Sequence, residues 1–131
     1  MKANELMIGD WVRFLDDQDC FTDNKVEGID ELGNILVSGL PDEEYNIVEE
    51  PVWTAAECFE PIPLTPEILE KNGFKEYNGY GYAGNKGYYL KGFYINHDFS
   101  IRIANINCKV NFIHELQHAL KLCGIEKTIE L

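Results

Sequence analysis

The residues with the clearest capacity for chemistry are His114, Glu115 and His118, in the string "HELQH" at 114–118. In an H-E-x-x-H string carried on a helix, the two His share a face and can ligate zinc, while the Glu serves as general base. Catalytic zinc needs a third protein ligand beside an open position. Only 13 residues follow His118, and Lys121 and Gly124 stand where the extended zinc-protease pattern has Gly and His. A third ligand must then come from Glu126 or Glu130, with little room for a second helix, or from His97 or Asp98 upstream. A structural site joining Cys108, His114, His118 and Cys123 is a further arrangement of the same residues. At about 100° per residue, Phe112, Ile113, Leu116, Ala119, Leu120 and Cys123 fall on one arc of the helix. His114, His118 and Lys121 fall on its polar side. The expectation is a surface helix with no catalytic residue, metal or cofactor. A zinc hydrolase using His114, Glu115 and His118 is the alternative.

Two other stretches spell motifs. "GYGYAG" carries Gly79, Gly81 and Gly84 at the G-x-G-x-x-G spacing. A dinucleotide site needs those glycines to open a helix, so that its N-terminus meets the pyrophosphate. The strand-like "YYLKGFYI" follows instead, and a hairpin tip is expected. The aromatic set Tyr77, Tyr80, Tyr82, Tyr88, Tyr89, Phe93, Tyr94 and Phe99, with Lys75, Lys86 and Lys91 nearby, could form a stacking platform for single strands. Cross-strand packing with hydroxyls at the rim is the simpler expectation.

Charge limits the partners. The 131 residues carry a formal net charge of −12, which repels nucleic acid phosphates and anionic membrane surfaces. The acidity is concentrated: residues 1–66 hold 16 Asp and Glu against 3 Lys and Arg, and residues 67–131 hold 7 against 8. A solvated surface accounts for this. An acidic face for a basic protein partner, built on Asp16, Asp17, Asp19, Asp42, Glu43 and Glu44, is the sharper reading. No apolar stretch has the length of a signal peptide core or of a membrane span, so a cytoplasmic protein is expected. Cys20, Cys58, Cys108 and Cys123 form no C-x-x-C pair and read as free thiols in a reducing compartment, with Cys108 and Cys123 in the core.

The elements that must position these residues follow from pattern and punctuation. Short strand-like runs at 10–15, 24–30, 34–39 and 45–50, with a tight turn at 31–34, suggest a small antiparallel barrel. "IGDWVRF" resembles the opening strand of SH3-like barrels, where a Gly-Asp turn precedes an aromatic and β-branched strand. In "PIPLTPEILEKNGF" (61–74), Thr65 is a good N-cap, Pro66 suits the first helical position and Gly73 suits a left-handed C-cap. Residues 74–110 read as strands joined by Gly and Asn turns. A last helix runs from about Phe112 to Cys123, with Asn111 as N-cap and Gly124 as stop, and the tail "IEKTIEL" suits a short edge strand. The fold class expected is α+β. An SH3-like antiparallel β-barrel over 1–60 precedes a part over 61–131 with a short helix, an antiparallel sheet and a C-terminal helix.

Three segments, "ANELMIGDWV" (3–12), "IPLTPEILEKNGF" (62–74) and "VNFIHELQHALKLCGIE" (110–126), resemble a group of short uncharacterised bacterial proteins met in prophages and other mobile elements. That group shares E-L-x-I-G-N-x-V, P-L-T-x-E-x-L-x-x-x-G-F and a late V-H-x-L-Q helix. Here Asp10 stands at the Asn position, and Phe112 and Ile113 stand before the His. The group's helix is marked by residues corresponding to His114, Leu116 and Gln117, not by Glu115 or His118. The resemblance therefore implies a structural or interaction role for the helix. The function expected is a non-enzymatic accessory or protein-interaction module of mobile-element origin. It has an acidic first half, no nucleic acid or membrane partner, and room for self-association.

Overall fold

The computed structural model describes residues 1–15, 21–44, 46–77, 86–103 and 105–131. It is a mixed fold of small antiparallel sheets with two α-helices, divided into compact units Met1–Ile62 and Pro63–Leu131.

In the first unit, β1 (Trp11–Leu15) pairs with β2 (Phe21–Lys25), and β3 (Gly28–Ile29) pairs with β4 (Asn34–Val37). The short hairpin of β5 (Leu40–Pro41) and β6 (Ile47–Val48) follows. Then β7 (Val52–Ala55) pairs with β4, and β8 (Phe59–Pro61) pairs with β1. A 3-10 turn, Ala56–Cys58, joins the last two strands.

The opening turn is fastened by its own residues. Asp10, buried, accepts the Met7 N–H at 2.8 Å, and Gly9 adopts φ 95°. A positive φ of that size suits glycine. β1 then alternates as a strand with one buried face must. Val12 and Phe14 turn inward, with the Phe14 ring 5.6 Å from Phe59. Outward, Arg13 binds Asp23 at 2.8 Å and lies over Phe21, while Lys25 lies over Trp11.

The run 24–30 is not one strand, as its pattern suggests. At Val26 and Glu27 the chain changes partner: Val26 N–H donates to Asp10 O, and Glu27 N–H donates to Leu36 O. Val26 joins Val12, Ile35, Val37, Ala56 and Phe59 in the core. Among the described residues no sheet closes into a barrel: the strands of this unit fall into separate sheets of order β2-β1-β8, β3-β4-β7 and β5-β6.

In the second unit, α1 (Pro66–Lys71) begins as its sequence dictates. Thr65 Oγ1 accepts the Ile68 N–H at 3.3 Å, Pro66 stands at the first turn, and Gly73 adopts φ 88°. β9 (Lys75–Tyr77), β10 (Gly87–Leu90) and β11 (Phe93–Asn96) form a sheet with β10 central. β12 (Ser100–Ile103) and β13 (Ile106–Lys109) form a hairpin, and α2 (Ile113–Leu122) follows.

The tail differs from the edge strand expected of it: residues 125–131 lie in no strand. Ile129 is nevertheless 0% exposed. The Asn72 side chain, itself 2% exposed, holds the neighbouring peptide at two points, donating to Glu130 O and accepting from Glu130 N–H, both at 2.7 Å. Lys71 Nζ also donates to Leu131 O. An amide side chain can replace a strand partner here because its NH2 and its oxygen lie in one plane, as in a peptide, and the second N–H of the NH2 donates to Ile68 O at 2.7 Å.

Candidate functional site

On α2, Ile113, Leu116, Ala119 and Leu120 are buried, as the apolar arc requires. Three residues depart from the reading of that arc. Cys123 is exposed, as is Cys108 on β13, so neither thiol belongs to the core. Phe112 is only half buried, and it rather than Asn111 is the N-cap residue. His114, expected on the polar side, is only 8% exposed. Phe112 precedes the first turn, and its ring stacks on the His114 imidazole at 6.0 Å and 16°. The helical angle puts Phe112 on the apolar arc, but its backbone is extended, with φ −126° and ψ 154°, so that angle does not place its ring.

The three residues of the H-E-x-x-H string therefore meet different surroundings. The His114 and His118 rings are neighbours, 5.7 Å apart and nearly perpendicular. Glu115 points back along the chain. Its Oε1 accepts from Asn111 N–H and Phe112 N–H, each at 3.1 Å. This is the reach of a capping-box Glu at the third helical position. The upstream candidates have local partners too. His97 stacks on Tyr88 with parallel rings, and its Nε2 lies 3.7 Å from Glu76. Asp98 accepts from Ser100 Oγ at 2.6 Å and from Ser100 N–H at 3.0 Å, and these bonds, the hydroxyl's first, hold its carboxyl below the usual Asp range. Among the described residues no three His, Cys, Asp or Glu side chains are grouped to hold a metal ion.

Of the acidic candidates, Asp16, Asp17 and Asp19 lie outside the described residues, while Asp42, Glu43 and Glu44 are exposed. Asp42 also builds the β5–β6 turn: its Oδ1 accepts Glu44 N–H and Asn46 N–H at 2.9 Å each. Asp30 does the same between β3 and β4, accepting Leu32 N–H at 2.9 Å and Asn34 N–H at 2.8 Å. The bonds from Asn34, its backbone first, lower the Asp30 pKa. Part of the acidic content is thus turn chemistry, in which an Asp oxygen takes the place of a backbone carbonyl. Glu43, Glu44, Glu49 and Glu50 are exposed with no such bond among those described, beside exposed Ile47, Val52 and Trp53.

The glycines of the G-x-G-x-x-G string, with Tyr80 and Tyr82, lie outside the described residues. Phe99 lies in the turn before β12, and the other described aromatic residues sort by strand register, which the sequence did not reveal. Tyr88, Phe93 and Ile95 are buried on one face of the β9–β10–β11 sheet. Tyr77, Tyr89 and Tyr94 share the other, with ring centroids 5.8–6.3 Å apart. Tyr89 and Tyr94 are 37% and 59% exposed. Burial first, and then the neighbouring Tyr94, raise the Tyr77 phenol above its ordinary pKa.

Comparison with family models, with curated proteins and with solved structures found no match to this chain. No helix among the described residues is long and apolar enough to cross a membrane.

Proposed function

We propose that the chain is a non-enzymatic interaction module whose acidic first unit meets a basic partner protein. The observation that carries this reading is the exposed row Glu43, Glu44, Glu49 and Glu50, interleaved with exposed Ile47, Val52 and Trp53. Carboxylates around apolar and aromatic anchors supply steering and contact area together. Two three-stranded antiparallel sheets, β2-β1-β8 and β3-β4-β7, with a 3-10 turn before β8, support reading this unit as an SH3-like arrangement. The segment resemblances support a mobile-element origin.

Binding to a poly-lysine peptide and to a panel of basic proteins tests the reading. Glu43→Lys with Glu44→Lys leaves the Asp42 turn intact and is expected to abolish binding. Binding that survives both reversals, or that ignores ionic strength, overturns the acidic face.

A zinc hydrolase keeps one observation in its favour, the adjacent His114 and His118 rings. Zinc content of protein purified without chelator decides between the two. The interaction module is expected to carry zinc well below one equivalent, unchanged by His118→Ala. One zinc per chain, lost in that variant, favours the hydrolase.

A further inference from the structure

We infer that the outer face of the β9–β10–β11 sheet is a docking site for an extended, proline-containing acidic peptide. This site is separate from the acidic row of the first unit and does not depend on it. Three tyrosines from three strands meet on this face, and Tyr77 and Tyr94 stand nearly perpendicular, at 80°. In that edge-to-face contact the two rings pack on each other. The exposed surfaces of Tyr89 and Tyr94 offer an aromatic wall of the kind on which a polyproline helix docks with little loss of conformational freedom.

The face is shaped to carry them. Gly87 lies opposite Tyr77 in the register, where a Cβ would collide with the Ile95 carbonyl and stand 2.8 Å from the Tyr77 hydroxyl oxygen. The Ile95 carbonyl alone excludes a side chain at 87, and the end of the Tyr77 ring lies over the space this leaves.

Charge selects an acidic occupant. Lys75 is opposite Tyr89 and so shares the tyrosine face, and exposed Lys91 stands in the turn two residues beyond Tyr89. Glu76, the one acid within these three strands, belongs by register to the opposite face, beside His97. Two lysines are too few to follow a phosphate backbone against a molecule of net charge −12, since nucleic acid affinity rests on many such contacts.

The test titrates the full chain with an oligoproline peptide flanked by glutamates, following the tyrosine ring resonances by NMR. Control titrations use the same peptide with lysine for glutamate, the same peptide with alanine for proline, and oligothymidylate. The acidic oligoproline is expected to shift the rings of Tyr77, Tyr89 and Tyr94. Tyr89→Ala and Tyr94→Ala are each expected to weaken binding about tenfold or more, and Tyr94→Phe to retain most of it. Lys75→Glu is expected to weaken it about threefold and to improve binding of the lysine-flanked peptide. Thermal melts of these surface variants separate lost binding from lost folding. Equal binding of the alanine or lysine peptide, tighter binding of oligothymidylate, or no ring shifts at saturating peptide overturns the proposal. So does self-association that Tyr94→Ala abolishes, since that assigns the face to a second copy of the chain.

Discussion

Helices α1 and α2 fasten their first turns with one side-chain oxygen each, yet the two oxygens come from opposite directions. At α1, Thr65 precedes the helix and reaches forward to Ile68 N–H. At α2, Glu115 lies inside the helix and reaches backward to Asn111 and Phe112. The forward cap uses a residue type with few other roles at that position. The backward one uses the residue that a protease motif would assign to proton transfer. The contrast shows why a motif on a helix needs its neighbours inspected: the first-turn carboxylate already has a structural task that the spacing alone does not display.

Core truncation should produce the largest effects. Leu69 on α1 and Leu116 on α2 are both 0% exposed, and replacing either with Ala should cost about 2–5 kcal/mol in denaturant unfolding. A loss below about 1 kcal/mol for Leu69→Ala alone would make α1 peripheral and end the parallel between the helices.

Asn72→Ala comes next, at about 1–3 kcal/mol, because it leaves the peptide groups of Glu130 without their partner. Hydrogen exchange at the Glu130 amide should rise in this variant, and an unchanged rate would show that the tail is held by Ile129 alone. Smaller still are the caps. Thr65→Ala and Glu115→Ala should each cost about 1 kcal/mol, while Glu115→Gln, which keeps an acceptor oxygen, should cost less than Glu115→Ala. Equal losses for the Gln and Ala variants would remove the capping role from Glu115.

The pH dependence of stability should carry the smallest contribution. Asp30 and Asp98 have folded pKa values below the ordinary 3.8. Their contribution is therefore complete above that value and is lost as pH falls through the folded values. Asp30→Asn should lower the melting temperature slightly at neutral pH and converge on the parent protein at acid pH, so that the acid limb of the stability curve flattens.

Much of α1 was legible because its signals are local: Thr65, Pro66 and Gly73 act within a few residues of the turns they set. β1 was legible for the same reason, with Gly9 and Asp10 before an alternating run. The limits of α2 were nearly right, but the burial of His114 was not visible, because helical periodicity treats Phe112 as part of the helix, whereas its backbone is extended and its ring stacks on His114. The tyrosine face was hidden in composition. Eight aromatic residues between 77 and 99 could be arranged in many ways, and only the register Tyr89↔Tyr94 separates outward from inward rings. The Asn72 clamp was beyond reach, since its partner lies 58 residues away.

That separation bears on the order of events in folding. Bringing residues 72 and 130 together closes a long loop, whose entropy cost is recovered only after the intervening hairpins have shortened the path between them. The clamp should therefore form after the folding barrier is crossed. Stabilisation that arrives so late leaves the folding rate almost untouched and acts on unfolding. Asn72 then sets how long the second unit stays folded more than how fast it gets there, as a latch does for a door already closed.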